Sequence, residues 1–300
     1  MEMQKNNAWH LRWARRTSGL TSPAPFVLVL GTLLMSGCGG SAPSVSKPSP
    51  GVAGNPPAAT KPREVSIAAA SDLKFALDEV LVEFQKRHPD IHCQATYGSS
   101  GNFVAQLTNR APFDLFLSAD IGYPRKLIEQ DLAKRETEFS YAVGHLVVWV
   151  PKDSPLKVEE LGIQALLDPS VHKIAIANPK HAPYGRAAEA ALKSLGVHDQ
   201  IESRLVLAEN IAQTAQWLES GAADIGLISL SLARAPAMRD KGRYWSVPAD
   251  AFPTLEQGGV ILNWAKDPEA AAEVRSFLIS EPGRTILKAY GFDEPKRSAE

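Results

Sequence analysis

Three short polar segments stand at points where a β-rich run gives way to a helical one. They are Ser71-Asp-Leu73, Gly98-Ser-Ser-Gly-Asn102 and Asn178-Pro-Lys-His-Ala-Pro-Tyr-Gly185. In an open α/β sheet, ligands bind beyond the carboxyl ends of the strands, where helix N-termini present unpaired N–H groups. Serine adds a hydroxyl donor beside these amides. If the three segments converge, their donors and helix dipoles form an anion site without any lysine or arginine.

An ordinary helix cap is the alternative for each segment. Ser, Asp and Asn are preferred N-cap residues, so a single segment of this kind is more typical of capping than of binding. Asp72 is also typical of a first-turn acid, because the helix dipole stabilises a negative charge there. The prediction of an anion site therefore depends on the segments lying together.

The elements around these segments alternate between β-rich runs and amphipathic helices, which indicates an α/β fold with a mainly parallel sheet. The predicted strands are 65–70, 91–97, 114–118, 143–150, 173–177, 224–230 and 259–263. The predicted helices are 73–84, 102–108, 123–132, 184–195, 211–220, 268–279 and 283–289. About 237 residues of this alternation favour two lobes of roughly 120 residues each over one large sheet.

The N-terminus has the pattern of an export signal followed by a tether. Basic residues precede the apolar run 26–35, which is about half of the ~20 residues that a membrane-spanning helix needs. The run ends in Ser36-Gly-Cys38, which resembles the bacterial lipoprotein signal, with an ordinary cleaved signal as the alternative. We predict a lipoprotein signal peptide over 1–37 and lipid attachment at Cys38. Residues 38–63 are rich in Gly, Ser, Pro and Ala, and they predict a disordered tether.

Composition excludes several other classes of protein. The chain has 300 residues, of which 44% are hydrophobic and 22% charged, so it is not a disordered protein. Lys plus Arg total 32 against 33 Asp plus Glu, which leaves no basic surplus for binding nucleic acid. We find no paired base and nucleophile, phosphate-binding loop or dinucleotide fingerprint, and we therefore expect neither an enzyme nor a cofactor. The scattered histidines predict no metal site.

Six segments in order between residues 65 and 292 carry a family resemblance. They are Ala68-Ala-Ala-Ser71-Asp-Leu73, Tyr97-Gly-Ser-Ser100, Ala111-Pro-Phe-Asp-Leu-Phe-Leu-Ser-Ala-Asp120, Asn178-Pro-Lys-His-Ala-Pro-Tyr-Gly185, Ala223-Asp-Ile-Gly-Leu227 and Tyr290-Gly-Phe292. Together they resemble the periplasmic molybdate-binding proteins of bacterial ABC importers. The resemblance implies a type II periplasmic-binding-protein fold, in which two α/β lobes are joined by a two-strand hinge and the ligand lies in the cleft. We assign residues 64–145 and 250–300 to lobe 1, and residues 146–249 to lobe 2.

The resemblance also implies which residues contact the ligand. The two serine contacts fall on Ser71 and Ser100, with Ser99 as the alternative if the second is displaced by one residue. In lobe 2 the contacts fall on Tyr184, through its amide or its hydroxyl, and on the amide of Ile211. Beyond the molybdenum of the bound oxyanion, no metal is implied.

One position departs from the family pattern. Many members have a tyrosine that donates its hydroxyl where this chain has Ser229. A serine is too short to reach equally far, so Ser229 is only a possible additional contact, and Tyr184 is the alternative source of that hydroxyl.

The chemistry of the ligand agrees with this set of donors. Molybdate is a dianion without a proton at neutral pH, so a selective site offers only hydrogen-bond donors. Sulfate has the same charge and shape but is smaller, and phosphate favours an acceptor such as Asp72, so both remain alternatives. Tungstate is nearly isosteric with molybdate, and we expect it to bind as well.

The function that the resemblance implies is extracytoplasmic capture of molybdate. Cleft closure then delivers it to ABC permease subunits that work with a cytoplasmic ATPase. A molybdate sensor is the alternative function. We expect an exported monomer, lipid-anchored in the periplasm or at the cell surface.

Overall fold

The computed structural model describes residues 63–296, which form two five-stranded sheets with helices packed against them. The strands are β1 (Arg63–Ala70), β2 (Ile91–Gly98), β3 (Leu115–Ser118), β4 (Phe139–Gly144), β5 (Leu146–Pro151), β6 (Ile174–Ala177), β7 (Leu205–Ala208), β8 (Ile225–Ser229), β9 (Gly242–Ser246) and β10 (Leu255–Ile261). The helices are α1 (Lys74–Arg87), α2 (Ser100–Thr108), α3 (Gly122–Glu129), α4 (Val158–Leu161), α5 (Pro183–Ser194), α6 (His198–Ile201), α7 (Ile211–Glu219), α8 (Leu230–Arg234), α9 (Pro268–Leu278) and α10 (Glu281–Ala289).

Both sheets follow the same plan. The sheet of lobe 1 has the order β2-β1-β3-β10-β4, and the sheet of lobe 2 has the order β7-β6-β8-β5-β9. In each sheet the first three strands are parallel and the last two run antiparallel to their neighbours. The parallel strands β3 and β6 are buried along their whole length, as expected for central strands covered on both faces.

The chain crosses between the lobes at His145 and again after β9. The sequence pattern predicts one strand over 143–150, and this prediction is wrong. Val143 exchanges backbone hydrogen bonds with Asp293 in lobe 1, at 2.8 and 3.0 Å, whereas Leu146 pairs with β8 in lobe 2. The backbone therefore changes its partners at His145.

Several strands differ from those that the sequence predicts. The short strands β7 and β9 were not predicted, and most of their side chains are half-buried or exposed. Strand β10 begins at Leu255 instead of residue 259 and ends at Ile261. The start of β1 also differs, since Arg63 stands at the end of the predicted tether but already belongs to the strand. Its guanidinium donates to Asp267 at 2.6 Å and to Glu273 at 2.8 Å, two partners about 200 residues away.

A carboxylate at the start of a central strand ties the elements of each lobe together. In lobe 1, Asp114 is buried and accepts hydrogen bonds from the amides of Ser66 and Lys266, both at 2.7 Å. In lobe 2, Asp224 precedes β8 and accepts two amides at 2.8 Å, but it is exposed to solvent. The same arrangement of a carboxylate and two amides is therefore buried in lobe 1 and exposed to solvent in lobe 2.

We predict that Asp114→Asn lowers the free energy of unfolding by about 2 kcal/mol, because a buried amide group replaces an acceptor of two N–H donors. Asp224→Asn is the matched control, and we expect a clearly smaller loss because water reaches that site. Urea unfolding of both variants measures the difference. Equal losses would contradict the role of burial at Asp114.

No helix within residues 63–296 has both the length and the apolar character required to cross a membrane.

Candidate functional site

A small cavity lies between the lobes, at the carboxyl ends of their parallel strands. It is lined by Ala70, Ser71, Asp72, Gly98, Ser99, Ser100, Ala119, Ala182, Pro183, Tyr184 and Ile211. The centre of a water-sized sphere can occupy about 10 Å³ of it. This is on the order of the space that a single water molecule needs, so the cavity between the lobes is small in this arrangement.

Two serine hydroxyls from lobe 1 border the cavity. Ser71 follows β1 and Ser100 begins α2, so each stands at the end of a parallel strand. The Ser71 Oγ accepts from the amide of Ala212 at 3.4 Å, and the Ser100 Oγ accepts from the amide of Ala119 at 3.1 Å. Neither hydroxyl donates to another group within the described residues, so each proton is available for donation to a ligand.

Ser99 also borders the cavity, but its hydroxyl group forms hydrogen bonds with other parts of the protein. Its Oγ donates to the carbonyl of His181 in lobe 2 at 2.8 Å and accepts from the amide of Asn102 at 3.4 Å. Ser99 is therefore the N-cap of α2 and a contact between the lobes, and its proton is already in use.

Lobe 2 contributes two helix N-termini. Tyr184 is the second residue of α5, after Pro183, and Ile211 is the first residue of α7. Amides at these positions have no partner inside their own helix, and the helix dipole is positive there. Asn210 caps α7 by accepting from the amide of Gln213 at 3.0 Å, which leaves the Ile211 amide for another acceptor.

Ser229 does not line the cavity. It is buried, its Oγ accepts from the amide of Leu232 at 3.4 Å, and this oxygen lies 3.0 Å from the Ser231 hydroxyl. Its geometry is that of an N-cap on α8.

A buried polar group below the cavity joins the two lobes. The Nε2 of Gln257 donates to the Asp72 carboxyl at 2.6 Å and to the Tyr184 hydroxyl at 3.2 Å. Burial raises the pKa of Asp72 to about 6, although the hydrogen bonds from Gln257 and Tyr184 oppose the rise. Burial also holds the pKa of Tyr184 well above its usual value, so this hydroxyl keeps its proton.

Asp72 lies both in the first turn after β1, as predicted, and in the lining of the cavity. Asp72 lies in the 3-10 turn Ser71–Leu73, where a helix-stabilising acid was predicted, but it is also 1% exposed and part of the cavity lining. Gln257 was missed by sequence reasoning, because β10 follows the other site residues by more than 40 positions and a single glutamine in a strand carries no local signal.

Proteins of known family are similar to this chain in sequence. A family model described as bacterial extracellular solute-binding protein matches residues 65–293. The chain belongs to this family. The molybdate-binding protein ModA of Azotobacter vinelandii is 35% identical over 237 residues, which are 78% of this chain and 91% of that protein. The molybdate-binding protein ModA of Rhodobacter capsulatus is 35% identical over 196 residues, which are 65% and 75% of the two chains.

A solved structure of the Azotobacter vinelandii periplasmic molybdate-binding protein aligns with this solute-binding protein. The TM-score is 0.70 at 31% identity, and the alignment covers 77% of this chain and 100% of that chain. The periplasmic-binding-protein fold that the sequence predicts is therefore confirmed.

The lobes of the solute-binding protein are in direct contact around the cavity. Arg186 in lobe 2 donates to Asp120 at 2.7 Å and to the Tyr123 hydroxyl at 2.8 Å in lobe 1. The amide of Gly101 donates across the cleft to the carbonyl of His181 at 2.9 Å. A Cβ atom on Gly101 would lie 2.5 Å from that carbonyl oxygen, so the closed arrangement requires a glycine at this position.

We predict that Gly101→Ala impairs closure more than it weakens lobe 1. Within lobe 1 the added methyl group would lie 2.9 Å from the Tyr123 hydroxyl, the far end of a side chain, and alanine is the better helix former by up to about 1 kcal/mol, so we expect only a small change in the thermal midpoint of the ligand-free protein. Affinity for molybdate, the ligand that the family resemblance implies, should fall at least tenfold, because the added methyl group meets the His181 backbone. Calorimetric titration and thermal unfolding test the two halves of this prediction, and unchanged affinity would show that closure does not need this close approach.

Proposed function

We propose that this solute-binding protein captures molybdate outside the cytoplasm and delivers it to the permease of an ABC transporter. The observation that carries the proposal is the small cavity, where hydroxyl and amide donors from both lobes meet without any lysine, arginine or histidine in the lining. The relatives that are 35% identical are named molybdate-binding proteins, which supports the same ligand.

The donors fit a fully deprotonated oxyanion. We assign the hydroxyls of Ser71 and Ser100 and the amides of Tyr184 and Ile211 to its oxygens. Such charge-assisted hydrogen bonds are stronger than those between neutral groups. Ser99 and Ser229 serve as helix caps in this assignment, because their hydroxyls already have partners within the protein.

Binding and closure are one event in this proposal. Ser71 and Ser100 belong to lobe 1, whereas Tyr184 and Ile211 belong to lobe 2, so the anion is held by all its donors only when the cleft is closed. A ligand that binds the closed state better shifts the population towards it. The permease then recognises the closed shape and receives the ligand, while a cytoplasmic ATPase drives transport.

Further properties follow from the same assignment. We propose that tungstate binds too, because it has nearly the size and the same charge as molybdate. We also propose a monomer as the working unit. We also propose that the protein binds without catalysis, in agreement with the names of its relatives.

We predict that the double variant Ser71→Ala, Ser100→Ala loses molybdate binding. A hydrogen bond to a charged group contributes about 1.5–3 kcal/mol, so losing two corresponds to a roughly 10²- to 10⁴-fold weaker affinity. Isothermal titration of the fragment beginning at Arg63 with molybdate, tungstate, sulfate and phosphate measures both affinity and selectivity.

Ser229→Ala is the control for this experiment, since Ser229 is a buried serine outside the cavity lining. We expect its affinity for molybdate to stay close to that of the unmodified protein. Selective binding of sulfate or phosphate by the unmodified protein would overturn the choice of ligand.

We further propose that the protein is exported and anchored to a membrane by lipid at Cys38. The signal peptide 1–37, Cys38 and the tether up to residue 62 lie outside the described residues. The anchor is supported by the Ser36-Gly-Cys38 sequence after an apolar run.

The variant Cys38→Ser tests the anchor. We expect it to move from the membrane fraction to the soluble fraction of bacteria expressing the full chain, and to lose metabolic labelling by a radioactive fatty acid. Its molybdate affinity should be unchanged, because Cys38 lies outside the binding lobes. Persistent labelling of the variant would contradict acylation at this residue.

A further inference from the structure

Asp72 is a buried carboxyl group at an anion site. It is 1% exposed and lines the cavity, and within residues 63–296 it forms no salt bridge with a lysine, arginine or histidine. Gln257 donates to its Oδ2 at 2.6 Å, while its Oδ1 has no hydrogen-bond partner among the described residues. An ionised carboxylate here would repel a dianion in a space with little water to screen the two charges.

None of the groups that face Asp72 changes its charge near neutral pH. Tyr184 approaches it from α5 and Tyr141 from β4, and burial together with the charge of Asp72 raises the pKa of both hydroxyls well above the usual value. Gln257 from β10 does not ionise. Ser231 from α8 donates to the backbone carbonyl of Asp72 at 2.8 Å. Among these neighbours, only the Asp72 carboxyl changes its charge in the neutral range.

Resting on the proposed function, we propose that the site takes up one proton at Asp72 when it binds its oxyanion. The proton removes the repulsion between the carboxylate and the dianion. It also turns a carboxyl group that can only accept into one that donates, so Asp72 joins the donors around the ligand. A fully deprotonated tetrahedral dianion is then favoured over an oxyanion that brings a proton of its own.

The direction of the pH dependence follows from the charges. Burial without any ligand already raises the pKa of Asp72 to about 6, and a nearby dianion raises it further. Well below pH 6 the carboxyl is protonated with or without ligand, so affinity is constant there. Between the pKa of the free site and that of the loaded site, affinity falls by up to tenfold for each unit of pH.

The experiment is calorimetric titration with molybdate at pH 7 in buffers of different ionisation enthalpy, which counts the protons taken up for each anion bound. We expect uptake of about 0.5 to 1 proton for the unmodified protein, because Asp72 is mostly ionised before binding at pH 7 and protonated after it. We expect none for Asp72→Asn, whose amide cannot ionise, and an affinity that no longer depends on pH between about 6.5 and 8.5. Asp78→Asn, which removes a half-exposed carboxylate on α1, is the control and should keep the proton uptake.

The outcomes separate this inference from the proposed function. Molybdate binding by the unmodified protein without proton uptake would overturn the role of Asp72 and leave the function standing. Uptake that persists in Asp72→Asn would also overturn it, because the proton would then reside elsewhere. No molybdate binding at any pH would overturn both. The proton count of the unmodified protein needs no variant, so the test holds even if Asp72→Asn does not fold.

Discussion

The unpaired amide groups at the starts of helices are the constraint on which this structure depends. Four such N-termini, two from each lobe, meet at one cavity that has room for a single small species. Buried N–H groups need acceptors, and the protein supplies none for them inside their own helices. In the proposed function, a bound oxyanion meets this need from both lobes at once, so ligand binding and the closed arrangement depend on each other.

Close contact between the lobes imposes further requirements on the sequence. Gly101 allows the backbone of α2 to reach the carbonyl of His181. Gly144, at the end of β4, leaves the space that the Tyr184 hydroxyl and the Gln257 amide occupy. These glycines permit close approaches that a methyl group would block, although neither glycine is a proposed contact to the ligand.

The sheets of the two lobes are built on the same plan. Three parallel strands direct their carboxyl ends to the cavity, and two antiparallel strands complete the sheet towards the crossing at His145. The carboxylates of Asp114 and Asp224 hold corresponding strand starts in the two lobes. In the proposed mechanism, the lobes open and close about this short connection while each lobe keeps its own donors in place.

Sequence alone determined most of the elements, because strands, helices and caps leave local patterns. The family resemblance supplied Ser71, Ser100, Tyr184 and Ile211 as proposed contacts, and all four lie at element boundaries that border the cavity. Tertiary structure decided which serine of the pair at 99 and 100 keeps a free proton, since the competing acceptor is the His181 carbonyl in the other lobe. It also decided that Ser229 caps a helix away from the cavity, and that Gln257 reaches Asp72 from 185 positions along the chain. Hydrogen bonds between distant residues leave no periodic trace in a sequence, and the state of each polar group depends on them.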